Sequence, residues 1–159
     1  MHKIGFGYDI HRLEAGRRLV LGGTKISYAA GLAGHSDGDA LVHALIDALL
    51  GALGEGDIGT HFPDNDPRFE GARSTGLLET VMGFVRSRKA SLVNIDAVIV
   101  AEEPKMAPHV AAMKATLAPI LGLPESAIGI KAKTNEGLGP IGEKRAIACY
   151  AIALISIPD

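Results

Sequence analysis

The sequence predicts an α+β fold: a single-domain sheet with helices packed on one face. Three observations predict it. Strand-like apolar segments stand near both ends of the chain, at Lys3–Ile10 and Arg145–Ile157, with helical periodicity between them. Ser91–Ala101, Pro108–Leu121 and Ile128–Thr134 repeat a strand–helix–strand rhythm, which lays a layer of helices on a sheet. The 159 residues suit one domain with a proper core, and no repeat, linker or low-complexity segment divides them.

Taken in order, Lys3–Ile10 is the first strand. Arg18–Tyr28 reads as the second, turning or bulging at Gly22 and Gly23. Residues 29–35 form a flexible loop that leads to a helix. Ser36 followed by Asp39 resembles a capping box, with Asp in place of the usual Glu. Leu41, Leu45, Ala48, Leu49 and Ala52 then make an apolar stripe up to about Leu53, and Gly54-Glu55-Gly56 ends the helix. A polar, proline-containing loop spans Asp57–Pro67, and a second helix runs from Arg73 to about Arg88. Val93, Ile95, Ala97, Ile99 and Ala101 alternate in the next strand. Pro108 stands in the first turn of a third helix, and two further strands follow.

Composition excludes several classes. A hydrophobic share of 47% and a charged share of 21% are those of a globular protein. A net charge of −2 leaves no electrostatic footprint for nucleic acid or for an anionic membrane surface. The longest apolar run, Ala146–Pro158, is too short to span a bilayer, and the first residues lack a signal-peptide pattern. Cys149 stands alone in an apolar run, so it reads as a small buried hydrophobe, and a chain without an intrachain disulfide suits a reducing compartment. The expected location is the cytoplasm of a bacterial-type cell.

The chemistry concentrates in Asp9, His11 and His43. Asp9 and His11 are two residues apart near a strand end, so both point to one side of the sheet, and His43 lies on the first helix. One carboxylate and two imidazoles form a ligand set for a divalent transition metal, and three protein ligands leave a fourth position open. A closed structural zinc site would want a fourth protein ligand, usually with thiolates, and this chain has a single cysteine. Asp39, His43 and Asp47 share one helix face. His35 arrives at the helix N-terminus, where free amides favour anions. A metal beside an anion pocket suits phosphate handling. His2, His61 and His109 have no partner at ligand spacing and read as structural or surface residues.

Three loops stay open between a plain and a functional role. Asp57, Asp64 and Asp66 could form Asx turns or accept hydrogen bonds from a polyol. The glycine-rich loop at 131–142 lacks Walker A spacing, yet its backbone could bind phosphates, leaving Glu136 as a ligand for a hard cation. Residues 101–107 read equally as a loop or as one wall of a base pocket.

These segments together resemble the 2-C-methyl-D-erythritol 2,4-cyclodiphosphate synthases of the non-mevalonate isoprenoid pathway. The matching stretches are Gly7–His11, Ala33–Asp39, His43–Gly51, Gly56–Gly59, Phe62–Pro67, Pro104–Met106 and Lys131–Thr134, in the family's order and across essentially the whole chain. The resemblance implies conversion of 4-diphosphocytidyl-2-C-methyl-D-erythritol 2-phosphate to the 2,4-cyclodiphosphate plus CMP. It further implies zinc on Asp9, His11 and His43, and a second ion, Mg²⁺ or Mn²⁺, reached by Glu136. His35 and Thr134 correspond to transition-state stabilisers. Asp57, Ile58, Gly59, Phe62, Pro63, Asp64 and Asp66 match the erythritol-phosphate wall, and Ala101–Ala107, with Pro104, Lys105 and Met106, matches the cytidine pocket. Ser36, Asn65, Lys133 and Asn135 stand beside these as substrate contacts. Family members are homotrimers with sites shared between subunits, and the apolar last strand, which needs cover on both faces, is consistent with that.

The chain departs from the family at Pro140, where an aromatic is usual, at Glu143, where an arginine is usual, and at Tyr150, often a glutamate. Lys144 or Arg145 is the available replacement for the lost charge. The expectation is weak or absent binding of isoprenyl diphosphates on a trimer axis. Two other functions compete: a zinc-dependent phosphoesterase acting on a nucleoside diphosphate, and a non-catalytic trimer that binds a phosphate ligand.

Overall fold

The first strand is longer than its apolar alternation suggests. In the computed structural model, which describes residues 1–158, β1 runs over His2–Ala15 because it has a partner along its whole length. Residues 2–12 pair antiparallel with the last strand, and Leu13–Ala15 pair with Ala30–Leu32. The expected strand at 18–28 is instead a hairpin of β2 (Leu19–Leu21) and β3 (Thr24–Ile26). Gly22 and Gly23 have φ of 56° and 70°, the left-handed pair that a two-residue hairpin turn requires. The expected loop at 29–35 contains β4 (Ala30–Leu32), held extended by the end of β1.

The first helix, α1 (Ala40–Leu53), corrects the expected start. Ser36 does not cap it. The Asp39 carboxylate accepts from the Val42 amide at 3.0 Å, and Asp39 is fully buried. The same carboxylate accepts from the Gly22 and Gly23 amides at 2.9 and 2.7 Å, so the cap also ties the β2–β3 turn to the helix. Burial prevented the sequence from showing this choice, because both candidates are common N-cap residues.

Within the 57–67 loop, α2 (Ile58–His61) is a single turn capped by Asp57, and a 3₁₀ turn follows at 67–69. Next come α3 (Ser74–Ser87), β5 (Ser91–Val100), α4 (Val110–Leu121), β6 (Ile128–Lys133), α5 (Gly139–Gly142) and β7 (Ala146–Ser156). The five-stranded sheet has the order β4-β1-β7-β5-β6, in which β5 and β6 are parallel and the other pairs antiparallel.

One sheet face carries the core. α1 packs on β1 and β7, and the buried residues of β7 are Ala146 to Cys149, Ala151, Ala153 and Ile155. Cys149 is buried, as its apolar surroundings suggested, and burial pushes its thiol well above the usual range. The other face is apolar and uncovered within the chain. Ile4, Phe6, Tyr8 and Ile10 of β1, with Tyr150 and Ile152 of β7, are exposed there, and Tyr8 and Tyr150 lie with ring centres 4.9 Å apart.

Candidate metal centre and substrate cavity

β1 alternates Ile4, Phe6, Tyr8 and Ile10 outward, so Gly5, Gly7, Asp9 and His11 face α1. The glycines let strand and helix touch, and just beyond them Asp9 and His11 reach His43. Asp9 Oδ2 lies 2.8 Å from His11 Nε2 and 2.9 Å from His43 Nδ1, while the two ring nitrogens are 3.2 Å apart. A tetrahedral zinc with bonds near 2.0–2.1 Å would separate its ligand atoms by about 3.3 Å. The three donors therefore converge closely enough to hold such an ion after a small outward relaxation. They are the one group of His, Cys, Asp and Glu side chains among the described residues that meets this requirement.

The supporting hydrogen bonds select the tautomers a metal needs. His11 Nδ1 donates to the Ala33 carbonyl, which leaves Nε2 with a lone pair facing Asp9 and His43. His43 Nε2 lies 2.9 Å from Ser74 Oγ and 3.1 Å from Ser36 Oγ. Ser74 Oγ donates to Asp37 Oδ1, so it accepts from His43 Nε2–H and leaves Nδ1 free to coordinate. Without an ion, the cluster is held by protons. Burial pushes the Asp9 carboxyl up, but hydrogen bonds and charge from His11 and His43 outweigh it and hold the group at about 2. Burial pulls His11 down, and its hydrogen bond and charge contact with Asp9 raise it overall. A divalent cation would replace that bound proton.

The centre opens into a cavity of about 270 Å³. His35 and Ser36, read as substrate contacts, line it, as do Ile58, Gly59, Phe62 and Asp64, together with Gly34, Phe69 and Leu77. Asp57, Pro63, Asn65 and Asp66 do not. Asp57 caps α2 through Thr60, and Asp66 is engaged by Arg68. His35 stands four residues before the N-cap, and the Val42 amide it was expected to leave for an anion is already bound by Asp39. On the shared helix face, Asp39 holds the β2–β3 turn, His43 belongs to the metal centre, and Asp47 accepts from the Ile58 amide at 2.7 Å. Asp47 thereby anchors the cavity wall to α1.

A second group of expected contacts gathers elsewhere, at the C-terminal ends of β5 and β6. Residues 101–107, with Pro104, Lys105 and Met106, lie beside Lys133, Thr134, Asn135 and Glu136. The Ala101 amide donates to the Lys133 carbonyl at 2.9 Å, and Glu102 Oε1 accepts from the Asn135 amide at 2.8 Å. Thr134 Oγ1 donates to Glu136 Oε1 at 3.1 Å. None of these residues lines the cavity of the metal centre. Lys144 and Arg145, considered as replacements for the missing arginine, are engaged by Glu103 and Glu143. His61 donates to the Glu55 carbonyl at 2.8 Å, in keeping with a structural role.

Sequence reasoning missed Ser74 and Asp37 as its partner, and it placed Asp47 on the helix face of His43 without its bond to the Ile58 amide. The only available signal for Ser74 was its place at a helix start, which does not indicate contact with a histidine 31 residues away.

The YgbB family profile matches residues 2–156. A curated relative from Gloeobacter violaceus, named 2-C-methyl-D-erythritol 2,4-cyclodiphosphate synthase, is 56% identical over 153 residues, covering 96% of this chain and 94% of its own. A structure of 2C-methyl-D-erythritol-2,4-cyclodiphosphate synthase in a CDP-bound form superposes with a TM-score of 0.90 at 44% identity, over 97% of this chain and 100% of that one. The bifunctional IspDF from Campylobacter jejuni superposes with a TM-score of 0.95 at 40% identity; the match covers 100% of this chain and 43% of that longer protein. The family match over residues 2–156 and the 56% identity along nearly the full length agree: the chain belongs to the YgbB family, that of the 2-C-methyl-D-erythritol 2,4-cyclodiphosphate synthases.

Proposed function

We propose that the chain converts 4-diphosphocytidyl-2-C-methyl-D-erythritol 2-phosphate to 2-C-methyl-D-erythritol 2,4-cyclodiphosphate and CMP. An oxygen of the 2-phosphate bonds to the β-phosphorus, and the bond from that phosphorus to the bridging oxygen breaks, so CMP leaves with the electron pair. The observation that carries this is the convergence of Asp9, His11 and His43 on one cavity with His35, Ser36 and Asp64, in a chain 56% identical to a named synthase.

The nucleophile is already an anion, so the protein needs no base of its own, and its task is positioning and charge neutralisation. Asp9, His11 and His43 would hold zinc. When bound, zinc supplies positive charge and an open coordination position for a phosphate oxygen. Ser74 and the Ala33 carbonyl keep the two rings in the required tautomers. Asp47 steadies Ile58, and Ile58, Gly59, Phe62 and Asp64 form the wall that receives the erythritol phosphate. His35 and Thr134 stabilise the transition state, and Glu136 reaches a second ion, Mg²⁺ or Mn²⁺.

A cavity of about 270 Å³ is smaller than the roughly 300–1,000 Å³ usual for ligand sites. It suits the erythritol end of the substrate and leaves the cytidine to be bound elsewhere. Residues 101–107 and 133–136 form a separate group in the same chain. A homotrimer closing over the bare apolar sheet face would bring that group to a neighbour's cavity. The enzyme is expected to work in the cytoplasm. Incubation of the zinc- and magnesium-loaded protein with the substrate, followed by ³¹P NMR, tests the proposal. Cyclodiphosphate and CMP are expected in equal amounts; hydrolysed phosphates without cyclic product would refute it.

A further inference from the structure

A second cavity, of about 510 Å³, shares no lining residue with the first. The 34–37 loop contributes Gly34, His35 and Ser36 to the metal cavity and Asp37 to this one. Arg17, Arg18, Lys25 and Arg73 line the second cavity. Four cations against the single carboxylate of Asp37 leave a net +3 in a chain whose overall charge is −2.

Elsewhere several basic groups pair with carboxylates, as in Arg68–Asp66, Arg88–Glu55, Lys131–Asp96, Lys144–Glu103 and Arg145–Glu143. Here Arg18, Lys25 and Arg73 have no carboxylate partner among the described residues. Arg17 makes a 3.7 Å contact with Glu14 and donates to the Gly34 carbonyl at 3.2 Å. Asp37, the one carboxylate of the lining, accepts from the Ser74 amide and hydroxyl. Thr75, 7% exposed, adds a hydroxyl-bearing side chain to the lining.

We propose that this cavity is a binding site for a diphosphate group. Converging arginines favour phosphate oxygens through forked hydrogen bonds, and the lysine adds a point charge. A diphosphate presents six terminal oxygens to the donors of Arg17, Arg18, Lys25 and Arg73, against four on a single phosphate. The site stands apart from the metal centre and does not depend on the proposed cyclisation. Its ligand is either free diphosphate or the diphosphate head of an organic ester.

Calorimetry on protein freed of metal by chelation tests this, because the Asp9–His11–His43 site then offers diphosphate no cation. Inorganic diphosphate should bind at one site per chain, more tightly than inorganic phosphate and progressively more weakly as salt rises. The Arg18→Ala/Lys25→Ala variant should bind at least tenfold more weakly, with unchanged thermal unfolding and unchanged turnover in the absence of added diphosphate, since both side chains are exposed. Tighter binding of ADP than of inorganic diphosphate would assign the site to esters, and the reverse order to the free anion. Failure of the metal-free protein to bind either, equal displacement by sulfate, or full affinity in the double variant would overturn the proposal.

Discussion

Gly7 lies against Ala44 so closely that a Cβ on the glycine would come within 1.9 Å of the Ala44 carbonyl oxygen. Gly5 stands in the same relation to Ala48, at 1.7 Å. Both clashes are with helix backbone, which cannot swing aside as a side chain could. The contact brings α1 near enough to β1 for His43 to reach Asp9. Gly7→Ala should therefore destabilise the fold by about 3 kcal/mol or more, at or beyond the upper end of ordinary overpacking. Thermal unfolding of the variant measures this; a melting temperature equal to that of the parent would contradict the close approach.

The metal assignment predicts that His43→Ala loses most bound zinc and activity while keeping its fold. Elemental analysis of the purified variant checks it, and full zinc occupancy would refute the ligand set.

Ser74→Ala should act more mildly. It removes the hydrogen bond that orients His43 but leaves all three donors, so zinc affinity should fall by roughly 10–100-fold. Competition with a chromophoric chelator gives the constant. Parental affinity would show that Ser74 has no part in holding the ring.

Glu136→Gln should lower turnover and raise the requirement for Mg²⁺ or Mn²⁺, because one negative ligand of the second ion is lost. Turnover measured against magnesium concentration decides the point, and an unchanged curve would remove the role.

Light scattering should give three times the 16.5 kDa chain mass. Phe6 is 62% exposed on the bare sheet face, so Phe6→Glu should shift the protein toward monomers and depress turnover with it. A monomeric parent at micromolar concentration would refute the trimer and, with it, a cavity completed by a neighbour.

Local pattern determined a good deal by itself. Alternation and the i, i+2 spacing placed Asp9 and His11 on one side of a strand, and the apolar stripe from Leu41 to Ala52 made α1 legible and put His43 on it. Those signals are local, because side-chain direction follows from backbone period alone. Tertiary structure decided the rest. The capping-box pattern pointed to Ser36 at the helix start; Asp39 is the N-cap instead, buried against the Gly22 and Gly23 amides. Residues 30–32 are a strand only because the end of β1 needs a partner. Ser74 reaches His43, and Asp47 reaches Ile58, through packing between segments that no spacing connects. The resemblance to the synthases implied substrate contacts at 101–107 and 133–136, yet within one chain these residues stand apart from the metal cavity. Non-local pairing and burial set these positions, and a linear pattern carries no term for either.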